Sequence, residues 1–291
     1  MLGEGLALAS SVAWAASVVL FKRSEAISPT GLNLFKNVFA LVLLSLTLVV
    51  ISGNIDWGRS AEDWWRLSVS GIIGIAVADT LFFMALRRLG AGRLAIVECV
   101  YAPLIVVLSV IFLGERVGMG FLLGACLVVA GVFVSGRDQS KIDTTTKELL
   151  RGSLMGVAGV ACMAVGVVVA KPALERGSLV EVTMIRLVAG VAIQLLGVLV
   201  MPSAWSVLRV FVPSSVWRTL LPASLLGSYL AMLLWLGGFK WADASVAAVL
   251  NQLTTVFTIV LARIYLQEPL TIPRVLGGGV AVAGALIILL W

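Results

Sequence analysis

The sequence predicts an all-α membrane protein with ten transmembrane helices, arranged as two inverted five-helix repeats. Of its 291 residues, 60% are hydrophobic and only 12% are charged. With a mean hydropathy of +1.10, this leaves too few polar residues to cover a soluble fold of this size. The apolar residues fall into ten runs, and features of the first five return in the last five.

Each apolar run is close to the roughly 20 residues that a helix needs to cross a bilayer. The runs are apolar on all sides, which favours helices over barrel strands of alternating polarity. The predicted spans are residues 4–22, 30–52, 66–87, 94–113, 118–136, 152–172, 178–201, 217–239, 245–266 and 272–290. We therefore predict a first five-helix repeat at 1–136, a connecting loop at 137–151 and a second repeat at 152–291.

The repeat is clearest where residues 91–136 return as residues 244–290. A shift of 153 positions places Glu115 on Glu268, and both glutamates are predicted to cap helix ends at turns. The same shift superposes two glycine pairs, Gly124 with Gly277 and Gly131 with Gly284. These glycines predict close packing of spans five and ten. Because each half has an odd number of spans, the second half must be inverted, and inverted repeats place a substrate site near the membrane midplane.

Three ionisable side chains of the first half fall in one layer of the predicted membrane. Lys36, Asp79 and Glu98 lie about 6–12 Å from the same face at the helical rise per residue. A charge inside a membrane is costly unless it faces a cavity or a partner, so these groups indicate a functional site. The structural alternative is an ion pair of Lys36 with Asp79 or with Glu98.

The second half keeps a cation, Arg186, but has Asn251 at the position that corresponds to Glu98. A buried arginine without a carboxylate on a neighbouring span is a candidate anchor for a substrate carboxylate or phosphate. The alternatives are that Arg186 binds loop carbonyls or pairs with Glu181.

Aromatic side chains inside the spans can line the same cavity, or can pack against lipid. The substrate-binding candidates are Trp14, Lys36, Asn37, Asp79, Tyr101, Arg186, Tyr229, Trp235, Asn251 and Gln252. The candidates for proton coupling are Glu98 and Asp79, because a poorly hydrated carboxylate takes up a proton more readily than an exposed one.

Several kinds of chemistry have no support in the sequence. There is no histidine, the three cysteines lie in apolar runs, and no G-x-x-x-x-G-K-[ST] or G-x-S-x-G motif occurs. We therefore predict no catalytic residue, no metal site, no cofactor and no ATP drive. The net charge of +6 is scattered between spans, which favours anionic lipid over nucleic acid as the partner of the loops.

A family resemblance rests on three parts of the sequence: Trp14, the run from Ala85 to Glu115 with its Pro103, and Gln267-Glu268 with the glycines after it. On these residues the chain resembles the drug/metabolite transporter superfamily, specifically its EamA-type ten-span carriers, over essentially its whole length. It departs from that family at Lys36-Asn37, where an arginine is frequent.

A second departure is Thr255-Val256, which replaces a proline of span nine. The resemblance implies a secondary carrier that exports an amino acid or a related solute by alternating access. A flippase for a lipid-linked substrate on the same fold is the alternative, and an intramembrane enzyme is a third hypothesis. The resemblance also implies an inner-membrane protein, monomeric or homodimeric, with both termini in the cytoplasm. The distribution of Lys and Arg favours the opposite orientation by about two to one.

Overall fold

The computed structural model describes residues 1–22, 24, 27–51, 53–98, 100–136, 146–266 and 272–290. The regular structure in these ranges is all helical, without a strand. Seven helical segments in them are long and apolar enough to cross a membrane. Three shorter apolar helices accompany these segments: Tyr101–Phe112, Met119–Gly131 and Val275–Ile288. The predicted turn at Gln267-Glu268 and residues 137–145 of the predicted loop lie outside the described ranges.

The first half of the chain begins with a long helix and continues into a second one capped by a serine. Its elements are α1 (Leu2–Lys22), α2 (Pro29–Val50), α3 (Ala61–Gly71), a π-helical turn (Ile72–Val77), α4 (Ala78–Glu98), α5 (Tyr101–Phe112) and α6 (Met119–Gly136). The side chain of Ser28 accepts the Gly31 N–H, and Pro29 fits the first turn because it has no N–H to satisfy. Ser60 caps α3 in the same way.

The second half repeats this order with two differences: it adds short helices between its second and third long elements, and it has two helices in place of α4. Its elements are α7 (Thr146–Arg176), α8 (Leu179–Leu199), α9 (Ala204–Leu208), a 3₁₀ turn (Arg209–Phe211), α10 (Trp217–Ser224), a π-helical turn (Leu225–Ala231), α11 (Met232–Trp241), α12 (Ala244–Asn251), α13 (Thr254–Leu266) and α14 (Ile272–Leu290). Helix α7 starts inside the predicted loop, with Glu148 in its first turn, where a carboxylate favours a helix start.

Helix α4 also differs from the prediction, because it continues to Glu98 where a turn between spans three and four was expected. The glycines of that segment lower helix propensity by only about 1 kcal/mol each and no proline stands there, so neither feature ends the helix.

Both halves carry the same irregularities at the same spacing. The π-helical turns begin at Ile72 and Leu225, and the helix interruptions follow Glu98 and Asn251; both pairs are 153 residues apart. Proline cannot explain both interruptions, since Pro103 follows the first and no proline lies near the second. The repeat seen in the sequence is therefore also a repeat of local backbone geometry, and such π-helical turns are frequent at functional sites.

The helices of the two halves interleave. Helix α1 packs against α11, α12 and α13, while α7 packs against α3 and α4. Helix α6 lies along α14, where a Cβ atom at Gly124 would stand 2.7 Å from the Gly284 carbonyl oxygen. The predicted glycine contact between these two helices is confirmed.

Charged side chains, most of them buried, join the halves at one end of the bundle, near the starts of α3, α8 and α12. The Arg59 guanidinium pairs with Glu181 at 2.8 Å, with both side chains at most 5% exposed, and Arg176 pairs with Asp63. Glu115 accepts the backbone N–H of Ala244 at 2.6 Å and so caps α12, as predicted. Glu181 binds Arg59, so the alternative partnership with Arg186 is not formed.

Removal of one charge from the Arg59–Glu181 pair is expected to destabilise the protein far more than removal of both. Arg59→Met should cost about 3–5 kcal/mol, because it leaves the Glu181 carboxylate buried without a cation. Arg59→Met/Glu181→Gln should recover most of that loss, since the amide still accepts the Asp56 N–H at the position of the carboxylate. Thermal unfolding in detergent measures both. Arg66→Met, which breaks an exposed pair with Glu62, is the control, and equal losses for Arg59→Met and this control would contradict the assignment.

Candidate functional site

A cavity of about 150 Å³ lies where the two π-helical turns and the two helix interruptions meet. A single water needs roughly 10–15 Å³ by the same measure, so the space suits a small solute. Nine residues predicted from the sequence line it: Trp14, Lys36, Asp79, Glu98, Tyr101, Arg186, Trp235, Asn251 and Gln252. Each half contributes to the wall, as expected for a site between repeats.

Lys36 and Asp79 neutralise each other at the cavity wall. The Lys36 Nζ donates to Asp79 Oδ2 at 2.7 Å and to Asn37 Oδ1 at 3.0 Å, and Lys36 is 1% exposed. Its ammonium also stands 5.7 Å from the centre of the Phe83 ring. Of the two pairings considered for Lys36, the structure forms the one with Asp79, which leaves Glu98 without this cation.

Arg186 is almost fully buried and has no carboxylate partner among the residues that the structure describes. Its Nε donates to the Ser70 hydroxyl at 2.8 Å, and the guanidinium carbon lies 5.8 Å from the centre of the Trp235 ring. No protein acceptor in the described ranges takes a hydrogen bond from the two terminal nitrogens, and the side chain lines the cavity. The arrangement presents a desolvated cation with free donors.

Glu98 stands at the end of α4, where that helix is interrupted. Within the described ranges its carboxylate forms neither an ion pair nor a hydrogen bond, while its backbone carbonyl accepts from Gln252 Nε2 at 3.2 Å. Glu98 and Arg186 are therefore two groups of opposite formal charge that line one cavity, and neither forms an ion pair with a residue that the structure describes.

Two of the predicted residues do not reach the cavity wall. Asn37 donates to Asn33 Oδ1 at 2.9 Å and to Gln194 Oε1 at 3.2 Å, so it ties α2 to α8. The Tyr229 hydroxyl lies 2.6 Å from Thr47 Oγ1 and holds the second π-helical turn against α2. Both side chains use their polar atoms within the protein.

Several lining residues were not predicted: Ser10, Gly74, Met163, Gly227, Ser228 and Thr254. Gly74 and Gly227 are 153 positions apart, so the sequence repeat contained a signal for them. Each lies against the other half, since a Cβ atom at Gly74 would meet Gly166 at 3.4 Å and one at Gly227 would meet Ser17 at 2.6 Å.

Polar atoms of three lining residues are buried without a hydrogen-bond partner among the described residues: Tyr101 Oη, Asn251 Nδ2 and Ser228 Oγ. The Asn251 amide oxygen is used, because Ser10 Oγ approaches it at 2.7 Å from α1. A buried polar group without a partner costs about 1–3 kcal/mol, and such groups are uncommon in folded proteins. Three of the eight such atoms in the described part of the chain thus belong to residues that line this cavity.

Apolar helices that repeat in two halves, with interruptions that meet at a polar cavity, define a membrane transport protein built from helical repeats. The chain belongs to the EamA-like transporter family, whose profile matches residues 1–137 and 150–290. The resemblance to the drug/metabolite transporter superfamily is thereby confirmed.

The fold is shared with proteins of known structure. One crystal structure superposes on 99% of this chain and 96% of its own with a TM-score of 0.82, at 20% sequence identity. This likeness concerns the fold alone. No curated protein matches the chain.

Proposed function

We propose that this protein is a secondary active transporter that exports a small organic solute with a carboxylate group, an amino acid or a related metabolite, by alternating access. Arg186 carries the proposal, because a desolvated guanidinium with free donors favours a planar oxyanion. The apolar part of the solute would contact Trp14 and Trp235. Glu98 would carry a coupling proton. A cavity of about 150 Å³ supports a small solute over a lipid-linked one.

The proposal includes ten membrane spans in two repeats of opposite orientation. It is supported by the matched irregularities 153 residues apart and by the pairing of α6 with α14. Alternating access would bend the helices at the π-helical turns and interruptions beside the cavity. We propose that the protein lies in the inner membrane with both termini in the cytoplasm. Reporter fusions at each terminus test this placement, and an external signal from either one contradicts it.

Transport of amino acids is tested with proteoliposomes loaded with the standard amino acids. Mass spectrometry of the external medium then identifies which solutes leave only when the protein is present. Arg186→Gln should lower kcat/KM for the solute so identified by at least about 30-fold, because loss of one partner of a buried charge pair costs about 2–5 kcal/mol.

Arg66→Gln is the matched control, since Arg66 pairs with Glu62 at the protein surface and does not line the cavity. The proposal is wrong if no amino acid or related carboxylate moves faster than in protein-free vesicles. It is also wrong if Arg186→Gln transports like the Arg66→Gln control.

A further inference from the structure

Ser70 holds the guanidinium of Arg186 in place. Its hydroxyl oxygen accepts a hydrogen bond from Arg186 Nε at 2.8 Å and donates one to the Gly166 carbonyl. We infer that Ser70 is the positioning residue that orients Arg186 towards a carboxylate in the cavity; this inference rests on the proposed role of Arg186. Among the described residues, no other side chain accepts a hydrogen bond from this guanidinium.

The direction of these bonds explains why a serine suits this position. A serine hydroxyl has one proton, and Ser70 uses it on the Gly166 carbonyl, so a lone pair faces Arg186 Nε. With Nε occupied, the two terminal nitrogens remain as the donors that can reach an oxyanion together. The guanidinium plane is thus fixed before any solute arrives, which lowers the entropic cost of binding.

The surrounding helices leave little space for another side chain. Ser70 is 0% exposed and lies on α3, two residues before the first π-helical turn. There α3 and the π-helical turn meet α7 so closely that a Cβ atom at Gly166 would stand 3.2 Å from the Ser70 carbonyl oxygen and 2.9 Å from the Cα of Gly74. Close packing of the helix backbones therefore holds both Ser70 and the Gly166 carbonyl that accepts its hydrogen bond.

Only the first repeat has a serine at the position of Ser70. A shift of 153 places Ala223 at the position of Ser70, and a shift of 149 places Asn37 at the position of Arg186. The corresponding pair of positions, Ala223 in the second half and Asn37 in the first, thus has neither group. Ser224, next to Ala223 in the second half, is 0% exposed, and within the described ranges its hydroxyl has no hydrogen-bond partner. Ser224→Ala is therefore a matched control that removes a buried hydroxyl without removing a hydrogen bond.

The experiment uses acetate as the probe, so that it does not depend on the identity of the solute. Thermal unfolding of the purified full chain is followed against acetate, with chloride at equal ionic strength as reference. The parent protein and Ser224→Ala should gain stability with the same acetate dependence. Ser70→Ala should need about tenfold more acetate for the same gain, the loss expected when a hydrogen bond to a charged group is removed.

A purely structural serine would lower the melting temperature without changing the acetate dependence, and that result overturns the inference. Absence of acetate protection in the parent overturns it as well. In an Arg186→Lys background, Ser70→Ala should have no further effect on acetate binding, because the Nε donor is gone; an additive loss contradicts the assignment. Acetate protection without amino acid flux would refute the proposed function and leave the positioning role supported.

Discussion

Replacement of Glu98 by Gln is expected to abolish accumulation of the solute driven by a pH gradient while leaving solute exchange intact. Glu98 lines the cavity, and within the described residues its carboxylate has no cation or hydrogen-bond donor. Such a group can be neutral in one access state and charged in the other, which proton coupling requires. Gln has nearly the same size and cannot take up a proton. The accumulation ratio in proteoliposomes should fall to about one.

The measurement compares flux with and without an imposed pH gradient. Glu62→Gln, which neutralises an exposed carboxylate at the surface, controls for loss of charge alone. Asp79→Asn is a poorer comparison, because Asp79 neutralises Lys36 at 2.7 Å and its loss leaves a buried ammonium unpaired. If Glu98→Gln accumulated solute like the parent, proton coupling through Glu98 would be wrong.

The coupling would be asymmetric between the two repeats. Asn251 occupies the position of Glu98 in the second half and cannot ionise, while its amide oxygen is approached by Ser10 of α1. The second half instead contributes Arg186 to the same cavity. One repeat would therefore handle the proton and the other the substrate anion, although their backbones share the same irregularities.

Much of the site could be predicted from the sequence because burial of polar groups in a membrane is so costly. Lys36, Asp79, Glu98 and Arg186 were identified by that cost alone, and all four line the cavity. Tyr229 was identified as an aromatic side chain inside a span, but its hydroxyl bonds to Thr47, since a hydroxyl can be satisfied by a neighbouring helix. The depth of a residue can be read from a sequence, but the direction of its side chain cannot.

Other parts of the site had weak or no signals. Ser70 is one small polar residue in an apolar span, and its importance depends on a contact with Arg186, which is 116 positions away. The π-helical turns have no compositional signature of their own. The start of α7 at Thr146 was missed because a polar segment does not reveal whether it is a loop or the first turns of a helix.

The contact between α6 and α14 should tolerate added side-chain volume very poorly. A Cβ atom at Gly131 would overlap backbone atoms of Gly277 and Ala281, whereas one at Gly279, also on α14, would have no atom within 4 Å. Gly131→Leu should therefore prevent the helices from meeting, at a cost above about 3 kcal/mol, because the obstacle is backbone and cannot change rotamer. Gly279→Leu adds the same side chain towards open space and should be nearly neutral.

The yield of monodisperse protein and its melting temperature measure this difference. Helix association in a membrane depends on close packing rather than on the hydrophobic effect, so the lost contact has no apolar compensation from lipid. The two variants add the same side chain, which separates steric effects at the contact from any general effect of leucine on insertion. Gly131→Leu protein that folds like Gly279→Leu but transports a different solute would show that these helices shape the cavity. The expected result is loss of folded protein only for Gly131→Leu. It would show that the contact between α6 and α14 serves the assembly of the two repeats.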